Sequence, residues 1–120
     1  MLKDKAERKD MTNVYKLLRK LGMNAKYTGY DYFAVAITFA LSDSDYLRNV
    51  TKKLYVLIGI QYGVTPHCVE SALRTLLKNY WRQYGDSILS QYLGYPLHDK
   101  PTTREFISIL SDYLRDNPEF

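Results

Sequence analysis

The stretch 58–69, which reads IGIQYGVTPHCV, constrains this chain more than any other. It has the pattern of the middle of a helix-turn-helix. Two helices that cross closely need a small residue at the crossing, and Gly59 is placed to supply it. The expectation is that Gly59 is buried against the N-terminal half of the next helix. Four residues on, Gly63 offers the positive φ that a sharp reversal needs. Val64 then plugs into the core. Thr65 can cap a new helix with Pro66 at its first position, where a missing N–H costs nothing. Val69 and Leu73 would turn that helix's buried face towards the first. A second helix held in this way commonly lies in the major groove of DNA. The same pattern also builds plain helical hairpins inside helical cores.

The rest of the chain reads as all-α. Asn13–Leu21 presents Val14, Leu17, Leu18 and Leu21 on one face and stops at Gly22. Residues 1–12 form a basic arm, either flexible or an extension of that first helix. Residues 23–29 read as a loop. Tyr30–Leu41 is apolar nearly all round, which marks a central buried helix. Residues 42–45 (SDSD) form a turn rich in helix caps, and a further helix can start at Asp45 and run to about Lys53. Leu54–Tyr62 is the first helix of the motif. Pro66–Tyr84 is the clearest element: Val69, Leu73, Leu76, Leu77, Tyr80 and Tyr84 share one face, and His67, Ser71, Arg74, Thr75, Lys78 and Arg82 fall on the opposite arc. A short helix over Ser87–Leu93 ends at Gly94. Thr102 and Glu105 form a capping box for a last helix carrying Phe106, Ile107, Leu110 and Leu114. The expected architecture is a compact all-α domain of about six helices over residues 13–117.

At 120 residues and 46% hydrophobic, the chain suits one domain with one core. No apolar run approaches the ~18 residues of a membrane span, and the charged start is unlike a secretory signal. A cytoplasmic protein without membrane association is the expectation. The single cysteine, Cys68, excludes an internal disulfide framework. His67 and His98 lack ligand-spaced partners, so no metal site is expected. His67 and Cys68 are adjacent on a helix and point about 100° apart, which argues against a nucleophile–base pair. Asp43 and Asp45 read as helix caps rather than an acidic pair. No phosphate-binding glycine loop is present. No catalytic residue and no cofactor are expected.

The net charge is only +4, but it is unevenly spread. Residues 48–82 carry Arg48, Lys52, Lys53, Arg74, Lys78 and Arg82 against Glu70 alone, whereas 83–120 is net acidic. Positive charge therefore concentrates on the motif, as phosphate binding requires. A solvated basic face without a partner is the plainer alternative.

With the motif placed, a wider resemblance is visible. Its signals are Leu21-Gly22, Gly29-Tyr30 with Tyr32, Ala36-Ile37, Thr51-Lys52, Leu54-Tyr55, Thr65, Val69-Glu70, Ala72 and Arg74. Trp81, Gly94-Tyr95, Lys100-Pro101-Thr102, Glu105-Phe106-Ile107, Asp112 and Leu114-Arg115 continue the series. In this order they resemble the C-terminal DNA-binding effector domain of stage 0 sporulation protein A, the response regulator of spore-forming bacteria, over about residues 14–115. The resemblance implies a six-helix fold that binds double-stranded DNA as head-to-tail copies on tandem sites. It also implies regulation of transcription, with RNA polymerase as a possible further partner.

Departures qualify what carries over. Where the family's recognition helix reads S-R-V-E-R-A-I-R-H, residues 67–75 here read H-C-V-E-S-A-L-R-T. Glu70 and Arg74 persist, but two arginines give way to Cys68 and Ser71, and a histidine to Thr75. Each bidentate Arg–guanine pair is worth about 1–3 kcal/mol of discrimination, so the recognised sequence should change or relax. The loop before Lys100 is a few residues shorter than the family's. A stand-alone effector without a receiver domain is expected, so phosphorylation-driven dimerisation is not carried over. The expected roles are base reading by Glu70 and Arg74, assisted by Ser71, Thr75 and His67. Lys52, Lys53, Thr65, Lys78 and Arg82 would contact phosphates. The alternative function is a degenerate effector-like domain acting through protein contacts with a regulator or RNA polymerase.

Overall fold

The helix Thr28–Ser42 is the hub of the molecule, and the sequence explains why. Its residues Tyr32, Phe33, Ala34, Val35, Ala36, Ile37, Thr38 and Ala40 are all buried, so it has almost no polar face to turn to water. The computed structural model describes residues 5–120 and contains six α-helices among them. In chain order these are α1 (Lys5–Leu21), α2 (Thr28–Ser42), α3 (Tyr55–Tyr62), α4 (Pro66–Tyr84), α5 (Leu89–Leu93) and α6 (Thr103–Asp116). Between α2 and α3 the chain winds through a 3₁₀ helix, Ser44–Asn49, and a π-helical turn, Val50–Leu54. The all-α reading holds.

α1, α4 and α6 surround α2 and turn their apolar stripes towards it. α1 gives Val14, Leu17, Leu18 and Leu21. α4 gives Val69, Leu73, Leu76, Leu77 and Tyr80. α6 gives Phe106, Ile107, Leu110 and Leu114, and all of these are buried. The rings of Phe33 and Phe106 meet edge-on at 5.2 Å between centroids. Tyr80 reaches across the core to donate its hydroxyl to the Leu21 carbonyl at 2.8 Å, which satisfies its one polar atom. Truncating a fully buried residue such as Leu73 to alanine would cost about 2–5 kcal/mol.

Several boundaries differ from those expected. α1 is already helical at Lys5, earlier than the Asn13 start, so the extension reading describes residues 5–12. Residues 1–4 of the expected arm lie outside the described residues. Ser44–Leu54 is not a regular α-helix. Asp43 does cap it, accepting from the Asp45 N–H at 2.9 Å, and Asn49 caps the π turn by accepting from the Lys52 N–H at 3.3 Å. Asp45 is not a cap but an ion-pair partner. The two caps lie six residues apart, and each starts a new short winding in place of one continuous α-helix. α5 begins at Leu89 rather than Ser87. The expected Thr102–Glu105 capping box is present: Thr102 Oγ1 accepts from the Glu105 N–H at 3.1 Å, and Glu105 Oε1 accepts from the Thr102 N–H at 2.8 Å. Those bonds hold the Glu105 carboxyl below its usual range.

The glycines bring a larger correction. Gly59 is buried, and the atoms nearest to a Cβ there belong to Val64 and Thr65 of the turn rather than to the body of α4. A Cβ there would come within 2.5 Å of the Val64 carbonyl oxygen, so Gly59 makes room for the turn itself. The close helix crossing belongs instead to Gly29, assigned from sequence to a loop. It lies in the first turn of α2, where a Cβ would sit 2.5 Å from the Ala72 carbonyl oxygen and 3.1 Å from Leu76 Cβ. α2 and α4 approach as closely as they do because Gly29 has no side chain.

Candidate nucleic-acid interface

The turn between α3 and α4 is built by local chemistry. Gly63 ends α3 in the left-handed region at φ 70°, and the Val64 N–H closes back onto the Gly59 carbonyl at 2.9 Å. Thr65 follows in an extended conformation, and its Oγ1 accepts from the Cys68 N–H at 3.1 Å. Pro66 opens α4. At the far end the Gly85 N–H bonds to the Trp81 carbonyl at 2.7 Å and the helix stops. The Thr65 hydroxyl uses a lone pair for the cap and keeps its proton to donate.

The α4 face turned away from the core carries His67, Arg74, Thr75, Lys78 and Arg82, all exposed, with Ser71 and Glu70 half-buried beside them. All seven are sequence-expected site residues, and the structure brings them onto one strip. Arg74 and Glu70 meet at 3.0 Å, one turn apart, with the Arg74 side chain 62% exposed. A solvent-exposed pair at this spacing is worth about 0.3–0.5 kcal/mol. A bidentate arginine–guanine contact is worth about 1–3 kcal/mol, so the ion pair is weak enough to yield to a base edge.

Two walls flank the strip. On the Glu70–Arg74 side stands α3, with Tyr55 buried beneath. Burial pushes the Tyr55 phenol up to about 12; the Glu70 carboxylate adds to the shift and Arg74 opposes it. The π turn that leads into α3 exposes Lys52 and Lys53. Lys53 Nζ donates to Asp45 Oδ2 at 2.7 Å, while Arg48 lies 3.4 Å from Asp45 Oδ1. The hydrogen bond from Lys53 lowers the Asp45 carboxyl, and its counterpart raises the Lys53 ammonium. Of the two lysines, Lys53 thus shares its charge with a carboxylate. On the other flank a shallow groove of about 300 Å³ runs between Ser71, Ala72 and Thr75 on α4 and Tyr27, Thr28 and Gly29 at the start of α2. Sequence reasoning missed this wall. Its signal was Gly29, whose missing side chain brings α2 onto Ala72.

Among the described residues no helix is long and apolar enough to cross a membrane, and no group of three or more His, Cys, Asp or Glu could hold a metal ion. The candidate interface is a mainly cationic and hydroxyl-bearing helix face between two shoulders. A family model, Sporulation initiation factor Spo0A C terminal, matches residues 14–114. The chain belongs to this family. The match runs from Val14 in α1 to Leu114 in α6, and so takes in the whole α3–turn–α4 unit. The Spo0A C-terminal family is a DNA-binding effector family of transcription regulation and sporulation.

Proposed function

We propose that this chain is a sequence-specific regulator that binds double-stranded DNA with α4 in the major groove. The observation that carries this reading is the α4 strip: it is largely exposed, it is rich in arginine, lysine and hydroxyl groups, and its one carboxylate is already paired. Arg74 reads a guanine through O6 and N7, and Glu70 accepts from a cytosine amine or orients Arg74. Ser71, Thr75 and His67 add adaptable contacts to neighbouring bases. Lys78 and Arg82, further along the strip, contact phosphates with Lys52, Lys53 and Thr65, and these contacts set the register of the helix. Head-to-tail pairing on tandem sites and contact with RNA polymerase accompany this reading as properties of such effectors. The chain works in the cytoplasm and catalyses no reaction.

Titration of a labelled duplex of mixed sequence by fluorescence anisotropy, at several salt concentrations, tests the electrostatic half of the reading. Binding should weaken steeply as salt rises, because each neutralised phosphate releases condensed counterions. Lys78→Ala and Arg82→Ala should lower affinity for all duplexes alike and reduce the salt exponent by about 0.9 per lost contact. A loss from Lys78→Ala confined to one sequence would show that Lys78 is not a phosphate contact. Absence of binding to any duplex at low salt would favour the rival, an effector-like domain that acts on protein partners.

A further inference from the structure

We propose that the segment 24–28, the loop before α2 and its first residue, is through Lys26 a second phosphate-contacting shoulder that grips the DNA strand opposite the one held by Lys52 and Lys53. This inference rests on the reading of α4 as the helix in the major groove, and adds a residue that the sequence pattern assigned to an ordinary connection.

The argument is geometric. An α-helix with its side chains is about 10–12 Å across, and the major groove is about 12 Å wide. A helix that fills the groove therefore carries whatever flanks it over the phosphates of both rims. Successive α4 residues are rotated by about 100°, so Glu70 and Arg74 lean to one flank while Ser71 and Thr75 lean towards the other. The first flank adjoins Tyr55 and α3, and Lys52 and Lys53 immediately precede them. The second flank meets Tyr27, Thr28 and Gly29 across the groove. Gly29 fixes this proximity, because any side chain there would hold the start of α2 away from Ala72.

Lys26 sits one residue beyond that wall and is exposed. Its loop is built to hold a conformation. Asn24 Oδ1 accepts from the Lys26 N–H at 3.0 Å, the Tyr27 N–H reaches the Asn24 carbonyl at 3.3 Å, and the Lys26 ammonium lies 5.7 Å from the centre of the Tyr27 ring. Among the described residues Lys26 has no ion-pair partner, whereas Lys53 on the opposite shoulder is held by Asp45. A cation steadied by a ring face keeps its three N–H donors for a phosphate oxygen. Exposed Thr28 adds a hydroxyl on the same shoulder.

The test uses the full chain, a labelled duplex of mixed sequence, and two variants, Lys26→Ala and Lys26→Glu. Lys100→Ala removes the same charge from the cleft beside α6 and serves as the charge-matched comparison. Lys26→Ala should weaken binding about 3- to 10-fold at moderate salt for every duplex, and should lower the salt exponent by about 0.9. Lys26→Glu should weaken it further, Lys100→Ala should do less than Lys26→Ala, and all three should melt with the wild type. If the wild type binds and Lys26→Ala binds equally well, the shoulder is refuted while the α4 reading stands. A changed sequence preference in Lys26→Ala would refute a phosphate role, and an equal loss in Lys100→Ala would reduce the effect to net charge. Failure of the wild type to bind any duplex would overturn both proposals.

Discussion

Gly29→Ala is the most searching substitution in the fold, because two physical effects predict opposite signs. Gly29 lies in the first turn of α2, where alanine fits the backbone without strain. Helix propensity alone would make the variant more stable, by up to about 1 kcal/mol. The structure predicts the reverse. The new methyl carbon would lie 2.5 Å from the Ala72 carbonyl oxygen, 3.0 Å from the Ala72 carbonyl carbon and 3.1 Å from Leu76 Cβ. The first two are backbone atoms of α4 that no rotamer change can move. Relief requires the helices to separate by close to an ångström, which loosens the packing of Leu76 and the rest of the buried α4 face against α2. Overpacking of this kind costs about 1–3 kcal/mol, enough to outweigh the gain in propensity. For a domain of this size the melting temperature should fall by roughly 5–10 °C. Thermal unfolding followed by circular dichroism at 222 nm reads this directly. A variant that melts at or above the wild-type temperature would refute the close α2–α4 crossing and the groove wall that depends on it.

Gly59→Ala should also destabilise by about 1–3 kcal/mol, because its methyl group would meet the Val64 carbonyl oxygen at 2.5 Å; an unchanged denaturant midpoint would refute the packed turn. The Tyr55 phenol, raised from 10.0 to about 12 chiefly by burial, should make the protein alkali-sensitive. Above pH 10 the unfolded phenol ionises while the folded one stays protonated, so its contribution to stability is complete below pH 10 and lost between about pH 10 and 12. Urea midpoints measured across that range should fall less steeply in Tyr55→Phe than in the wild type; identical slopes would show that Tyr55 does not titrate in this way.

The parts of the fold legible in the sequence are those fixed within a few residues. Gly63, Val64, Thr65 and Pro66 specify the turn and the start of α4 by backbone conformation and capping, and each does so in the structure. The period of Val69, Leu73, Leu76 and Tyr80 names the buried face of α4, and by subtraction the exposed strip. What was not legible depends on which elements meet. Gly29 and Gly59 are equally small, and nothing in their neighbours says that one admits α4 and the other only a turn. The 3₁₀ and π windings of Ser44–Leu54 arise from caps at Asp43 and Asn49 that compete with a regular helix. The Asp45–Lys53 ion pair spans those windings, so the partial loss of Lys53 as a free cation had no signal in the sequence. The Tyr27–Gly29 wall was hidden for the same reason: a loop gains a role only when a distant helix is brought beside it.

The central claim is that α4 reads bases, and the most direct measurement is selection from a random pool of duplexes by the wild type and Arg74→Ala in parallel, at salt low enough for binding. The wild type should enrich one consensus containing a guanine whose replacement costs about 1–3 kcal/mol. Arg74→Ala should return the same consensus with that single position randomised, because the flanking readers and phosphate contacts remain. Arg74→Lys should restore affinity but not the guanine, since a lysine lacks the planar fork. A wild-type selection that binds DNA yet yields no consensus, or an Arg74→Ala consensus identical to that of the wild type, would contradict the account.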